Sequence, residues 1–203
     1  MNKKSFSYPI IFMAVLTIVF TFILAFLNYK TADVIAFNQE TDLRKTILYV
    51  FDIKPKSDDP KDIEEAFLSN VEEIKDENDE TIYVVKENGE IKAYAFKVGG
   101  TALWGTVEGY AAVSADYTTL LGIDFVSHSE TPGLGGRISE DWYKEQFRGI
   151  DLTDASGDKL LIYNPAPGGN IDAIAGATQT SNSVSEFLNK DIYEFITEKG
   201  GAK

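Results

Sequence analysis

The pattern of apolar and polar positions changes character along the chain. Residues Pro9–Leu27 read PIIFMAVLTIVFTFILAFL, a run without charge and with two threonines as its polar interruptions. At ~1.5 Å per residue this run spans about 28 Å, close to the hydrocarbon thickness of a bilayer. The alternatives are a cleaved signal peptide and a buried core helix. A signal peptide's apolar region is usually shorter and is followed by a small-residue cleavage site, whereas this run ends in Asn28-Tyr29-Lys30, which suits an interface anchor. The pattern therefore predicts a transmembrane helix within residues 1–30. Lys3 and Lys4 precede the run, and Lys30, Arg44 and Lys45 follow it. The terminal pair is the closer cluster and points the N-terminus into the cytoplasm, which places the soluble part outside.

Beyond the anchor, Leu43, Ile47 and Val50 share one helical face and predict a juxtamembrane helix over 31–51. After the polar break around Pro55 and Pro60, Ile63, Phe67, Val71 and Ile74 keep helical spacing over 61–75, with the charged remainder as a solvated face. An acidic loop follows at Glu77–Glu80. The period then shortens. Thr81–Lys86 and Glu90–Lys97 flank Asn88-Gly89, a strong hairpin signal. Gly99-Gly100 breaks the pattern, and Thr106–Ser114 and Thr119–Ser127 read as two further strands. Ser139 is placed to cap a short helix that runs to Phe147 and stops near Gly149. Lys159–Tyr163 is a short apolar strand, leading into the loop Asn164–Gly169. The last helix carries Val184, Phe187, Leu188, Ile192, Phe195 and Ile196 on one stripe, with Ser183 and Glu186 as a capping box at its start and Gly200-Gly201 at its end. These elements predict an α+β fold, an antiparallel sheet framed by helices, on a single N-terminal transmembrane helix. The expected division is an anchor over 1–30, a helical juxtamembrane part over 31–75 and a binding domain over 76–203.

Composition narrows the chemistry. The formal net charge is −13, and because residues 1–30 hold three Lys and no acid, 16 basic and 32 acidic groups remain in 31–203. Such a surface repels phosphate backbones, so nucleic acid is not an expected partner. The chain has no Cys, which removes disulfides, Cys-ligated zinc and Cys-ligated iron–sulfur clusters. His128 is its only histidine, so a multi-His metal site within one chain is also removed, and no metal site is expected. Acidic pairs are abundant because acids are abundant; no spacing singles out an acid and a base for hydrolysis.

Three segments carry candidate chemistry. Asp172-Ala173-Ile174-Ala175-Gly176-Ala177-Thr178-Gln179-Thr180-Ser181 puts an acid, a small-residue turn and several hydroxyls just ahead of an amphipathic helix. Small residues let a large planar or phosphorylated group approach the backbone, and a helix N-terminus offers unsatisfied N–H donors to a phosphate. Read blandly, the same stretch is a strand-to-helix connection. The second segment is Ser127-His128-Ser129-Glu130-Thr131-Pro132-Gly133-Leu134-Gly135-Gly136, a glycine-rich turn with a dense polar set. Glu130 is suited to accept from the N–H of a bound ligand or to orient a neighbour; His128 is suited to shuttle a proton or to serve as a structural hydrogen-bonder. In the third segment, Leu103-Trp104-Gly105, the indole can stack on a ring or pack in the core, and these residues alone favour the core role.

These segments, in this order and after an N-terminal anchor, resemble the FMN-binding subunit shared by two ion-pumping redox complexes: NqrC of the Na+-translocating NADH:quinone reductase (Nqr) and RnfG of the Rnf complex. The likeness runs through the anchor and Asp42–Leu48, Leu103–Gly136 and Asp172–Ser181. The closing segment is similar to the flavinylation signature Asp-x-x-Ser/Thr-Gly-Ala-Thr, with Ala175 standing where Ser or Thr is usual. The resemblance implies FMN esterified through its phosphate to Thr178, attached from FAD by a flavin transferase. It further implies a cofactor site made of Asp172, Gly176, Ala177, Thr180, Trp104, Glu130, Thr131, Gly133, Leu134 and Gly135. Thr178 is then a modification site, and no residue of the chain is expected to be catalytic in its own right. A flavin passes electrons one at a time. The implied role is an electron-transfer subunit of a redox-driven Na+ or H+ pump in the cell inner membrane, with the other membrane subunits and membrane lipid as partners. The alternatives are a stand-alone anchored flavoprotein and a non-redox binding module. Leu-Trp-Gly looks like NqrC and the short length like RnfG, so the resemblance extends to the family and not to one branch.

Overall fold

The computed structural model describes residues 7–153 and 159–200; Lys3, Lys4 and Gly201 lie outside them. Two compact units divide the chain, Met1–Glu40 and Thr41–Lys203. One helix, α1, is assigned over Ser7–Val50 and takes in both the apolar run and the expected juxtamembrane helix. It is long and apolar enough to cross a membrane, with a mean hydropathy of 3.0 over its most apolar window and no part of that window buried.

In the second unit, six strands form one antiparallel meander in the order β1-β2-β3-β4-β5-β6. They are β1 Val71–Lys75, β2 Thr81–Glu87, β3 Glu90–Thr101, β4 Thr106–Ser114, β5 Thr119–Ser127 and β6 Ile150–Asp151. The α+β reading of the sequence is the observed architecture. At the β2–β3 turn, Asn88 and Gly89 have φ of 55° and 83°, the two positive values that a tight hairpin with right-handed twist needs.

Helices cover both faces of the sheet. On one face, Tyr83, Ala95 and Ala112 pack with Ile47, Leu48 and Val50 from the end of α1 and with Ile63 and Phe67 of α2 (Pro60–Asn70). On the other face, Ile82, Val84, Phe96, Val98 and Val113 meet Val184, Leu188, Ile192 and Phe195 of α4 (Thr178–Gly200). Strand alternation assigns the faces: Ile82 and Val84 point one way and Tyr83 the other. The start of α2 follows capping rules, with the Asp59 carboxylate accepting from the Lys61 N–H and Pro60 in the first turn.

Several expectations need correction. Helical spacing over 61–75 overran: α2 stops at Asn70, and Val71 and Ile74 belong to β1, opposite Val85 and Ile82. Two β-branched residues bordering a free sheet edge gain more by pairing than by one more helical turn. Strand β3 continues through Gly99-Gly100 to Thr101 rather than breaking there. The glycines serve close packing: a Cβ on Gly99 would lie 2.6 Å from the Val107 carbonyl oxygen, and one on Gly100 would lie 2.7 Å from Phe187. Lys159–Tyr163 makes no regular strand; Tyr163 forms a single bridge to Ile171. Its backbone is satisfied by side chains instead, with Asn189 Oδ1 accepting from Leu160 and Leu161 N–H and Asn170 Oδ1 from Ile162 N–H. Ser139 caps no helix. It ends a 3-10 turn (Gly135–Ser139), and the one-turn helix α3 (Asp141–Lys144) follows with Glu140 at its N-cap position. A second 3-10 turn, Glu145–Phe147, completes this segment. Finally, α4 begins at Thr178, so Ser183 and Glu186 lie within it and form no capping box at its start.

Candidate functional site

The site is assembled where the β3–β4 turn, the loop after β5 and the start of α4 converge. The β3–β4 turn is closed by a hydrogen bond from Ala102 N–H to the Gly105 carbonyl, 2.8 Å. It presents Leu103 and Trp104, 48% and 67% exposed. Trp104 is thus no core residue; its indole stands in solvent on a backbone that is held.

The holder is Glu130, which is 4% exposed. Its Oε1 accepts from the Trp104 N–H at 2.8 Å and its Oε2 accepts from the Thr180 hydroxyl at 2.5 Å. The Glu130 N–H in turn donates to His128 Nδ1 at 3.2 Å. That leaves the His128 proton on Nε2, which donates to Ser139 Oγ at 3.0 Å. His128 therefore works as a structural hydrogen-bonder that shapes the loop. The Thr131 carbonyl accepts from Leu134 N–H at 3.1 Å and Gly136 N–H at 2.9 Å, and Gly133 carries the turn at φ 74°. Gly135 is buried against the clamp: a Cβ there would meet Thr180 Oγ1 at 2.5 Å and Glu130 Oε2 at 2.6 Å.

The attachment turn reaches α4 through Gly176, whose φ of 81° is left-handed and favours glycine. Gly176 faces Leu134, which would lie 3.4 Å from a Cβ added there. Ala177 accepts the first intrahelical bond, from Ser181 N–H at 3.0 Å, so an alanine stands at the N-cap position with no side-chain oxygen to give. The first-turn N–H groups of Thr178, Gln179 and Thr180 can have no intrahelical acceptor. The Thr178 side chain, at the first helical position, is exposed. An open helix start with a free hydroxyl, small neighbours and two exposed apolar side chains nearby is chemically suited to a phosphate ester with a planar group.

From behind, the turn is held by residues that sequence reasoning did not single out. Gln146 accepts from the Asp172 N–H at 2.7 Å, and the Asn164 amide donates to the Asp172 carboxylate at 2.8 Å. Ser181 Oγ accepts from Ile174 N–H at 3.1 Å. Tyr163 donates to the Ser181 carbonyl at 3.0 Å, so the buried Tyr143 hydroxyl donates to Tyr163 at 2.7 Å. Burial pushes the Tyr163 phenol up to about 12, against the lowering pull of its hydrogen bonds to Tyr143 and Ser181. Both phenols are therefore neutral donors at physiological pH. Apart from Ser181, which closes the candidate segment itself, these residues come from separate segments without a shared motif, and no local signal marks them.

The structure thus brings together Trp104, Glu130, Leu134, Gly135, Gly176 and Thr180, with Thr131 and Gly133 shaping the connecting loop and Ala177 and Thr178 opening the helix. Asp172 lies at the far end of the turn, exposed and tied to Asn164 and Gln146. A cleft of about 790 Å³ opens elsewhere, lined by Gly99, Gly100, Asp191, Phe195 and Lys199, and none of the motif residues borders it.

Comparison with known proteins matches this region. Residues 102–192 match the FMN-binding domain family. The match covers all three convergent segments, so the matched stretch contains both the exposed Trp104 turn and the open start of α4. The chain is 34% identical over 117 residues to NqrC of the Na+-translocating NADH-quinone reductase of Pseudomonas aeruginosa, a stretch covering 54% of this chain and 45% of that protein. It is 34% identical over 116 residues to the same subunit of Vibrio anguillarum, covering 55% of this chain and 46% of the other. The matched stretch thus spans somewhat under half of these relatives' length. The crystal structure of the NqrC protein from Parabacteroides distasonis superimposes with a TM-score of 0.66 at 24% identity, covering 79% of this chain and 92% of that one. Shewanella oneidensis NqrC gives 0.65 at 18% identity, covering 76% and 92%. At these identities the two structures speak for the shared fold.

Proposed function

We propose that this chain is a membrane-anchored flavoprotein subunit that carries FMN on Thr178 and relays electrons one at a time within a redox-driven ion pump. The observation that carries the reading is the exposed Thr178 hydroxyl at an uncapped helix start, inside a segment that matches the FMN-binding domain family. The first-turn N–H groups of α4 would hold the ester phosphate, and Gly176 and Ala177 leave room for it. Leu134, Gly135, Gly133, Thr131 and Trp104 would wall the ring, while Glu130, Thr180 and Asp172 hold the walls and the turn in place. When bound, the flavin supplies one-electron chemistry that no side chain of this protein offers. The chain's own residues bind it, orient it and tune its surroundings. Ala175 is exposed, so a hydroxyl at that position would not be needed to fill the core.

The named relatives are subunits of sodium-translocating NADH-quinone reductases, which favours Nqr-type partners and sodium as the pumped ion. The apolar part of α1 would anchor the chain in lipid of the cell inner membrane, with the domain outside the cytoplasm. A flavin transferase acting on Thr178 would mature it, and the chain would complete no reaction alone. Coexpression with a flavin transferase tests the reading. The purified chain should show in-gel flavin fluorescence and the mass increase of one FMN ester, and Thr178→Ala should abolish both. A wild-type chain of unmodified mass would overturn covalent FMN, and an adduct that survives Thr178→Ala would overturn the site.

A further inference from the structure

A buried carboxylate is unfavourable unless donors meet it, and apolar packing of the same volume often gives more stability. Glu130 nevertheless sits 4% exposed beneath an exposed turn, and none of the ion pairs among the described residues involves it. Both of its oxygens act as acceptors, the pattern of an ionised carboxylate. Each oxygen serves a different element: Oε1 holds the Trp104 N–H of the β3–β4 turn and Oε2 holds the Thr180 hydroxyl of the first turn of α4. Within a helix, a threonine hydroxyl commonly bonds the carbonyl four residues back. Thr180 instead reaches across to the loop. Gly135 leaves no side chain between the two partners, since a Cβ there would sit within 2.6 Å of both. The packing is arranged around the clamp.

We propose that Glu130 is a positioning residue and not a flavin ligand: its carboxylate fixes the distance between the Trp104 backbone and the start of α4, and so sets the stance of the exposed indole toward a group esterified on Thr178. The last clause rests on the flavin reading above, while the clamp itself stands on the protein's own hydrogen bonds. Trp104 is 67% exposed and draws little order from packing of its own ring. Its position follows from the pinned peptide N–H and from the turn bond between Ala102 and Gly105. Releasing Glu130 frees the turn tip, while the sheet beneath it remains paired up to Thr101 and Thr106. Hydrogen bonds to charged groups are stronger than neutral ones, and loss of one shifts the docked-to-undocked ratio by roughly tenfold or more.

The experiment uses the full chain in detergent micelles in a Trp142→Phe background, which leaves Trp104 as the sole tryptophan because the chain has two. Without a flavin transferase, Trp104 fluorescence anisotropy reports the mobility of the turn. With coexpressed transferase, flavin fluorescence per mole of adduct reports how closely the indole quenches the ring. Glu130→Gln, which replaces one of the two accepting oxygens by an NH2 group and removes the charge that strengthens both bonds, is expected to lower the anisotropy and raise the flavin fluorescence per adduct. Thr180→Val, close in size but without a donor, is expected to move both readouts the same way, and Thr180→Ser, which keeps the hydroxyl, to return them to wild type. Circular dichroism identifies a variant that fails to fold; if Glu130→Gln does so, the Thr180 pair decides. Wild-type values of both readouts in Glu130→Gln and Thr180→Val would refute the clamp. An unmodified wild-type chain would refute the flavin reading, and the anisotropy arm would still decide on the clamp.

Discussion

Replacing Asn189 by alanine is expected to destabilise the domain by about 3–5 kcal/mol, a large share of the roughly 5–15 kcal/mol that holds a typical domain folded. Asn189 is 7% exposed on the inner face of α4. Its Oδ1 accepts from Leu160 N–H and Leu161 N–H, both at 2.7 Å, and its amide donates to the Leu161 carbonyl at 3.0 Å and to Ser185 Oγ at 3.1 Å. Leu160 and Leu161 are 6% and 2% exposed, so water cannot easily replace the lost acceptor. Each buried N–H left unpaired costs about 1–3 kcal/mol, and the vacated amide volume adds a smaller packing loss. Urea unfolding of the compact unit Thr41–Lys203, followed by circular dichroism, measures the loss. Two companions separate the causes. Asn189→Leu fills the volume without an acceptor and should be nearly as damaging as alanine. Asn189→Asp keeps the acceptor, loses the donor bonds and should differ in cost from both. An alanine variant within about 1 kcal/mol of wild type, or a leucine variant that restores stability, would refute the hydrogen-bond account.

Two glycines of the loop after β5 should respond for different reasons. Gly135→Ala drives a methyl into Thr180 and Glu130 and should cost about 1–3 kcal/mol as overpacking, whereas Gly133→Ala, with open space around it but a φ of 74°, should cost about 1 kcal/mol from backbone strain alone. Urea midpoints of the two variants check the order, and equal midpoints would contradict it. Burial raises the Asp191 carboxyl above its ordinary 3.8, opposed by the Gly99 N–H that it accepts at 2.9 Å. An acid whose folded pKa is raised holds its proton longer in the folded state than in the unfolded one. Stability therefore falls as pH rises from about 3.8 through the folded value, and the loss is complete once the pH lies above that value. Asp191→Asn keeps an acceptor for Gly99 and should raise the thermal midpoint at pH 7 while leaving it nearly unchanged at pH 3; a lower midpoint at pH 7 would overturn the sign.

The elements with long, clean periodicity were legible in the residues alone. The apolar run of α1, the Asn88-Gly89 hairpin, the strands β4 and β5 and the stripe of α4 each follow from local pattern, because one face of each must be buried. The motif residues were legible for a related reason. Trp104, Glu130–Gly135 and Asp172–Thr180 pack glycines, hydroxyls and acids at a density that ordinary turns do not need, and the FMN-binding domain match covers them all. Boundaries were less legible. At Asn70 the helix yields to a strand because β2 offers an edge, and the window 61–75 does not contain β2. At Gly99 and Gly100 the glycines answer to Val107 and Phe187, partners that lie beyond their own strand.

Side-chain period and residue types close together along the chain were enough to specify the α+β class, the apolar segment and the three candidate segments. Tertiary structure alone decided how the segments work with one another. It turned Glu130 from a free acceptor into a clamp between Trp104 and Thr180, moved the start of α4 to Thr178, recruited Gln146 and Asn189 to hold backbone that no strand pairs, and set Asn164 on the Asp172 carboxylate. The physical reason is the same in each case. A buried donor or acceptor must find a partner, and which partner it finds depends on what the folded chain brings within hydrogen-bonding distance.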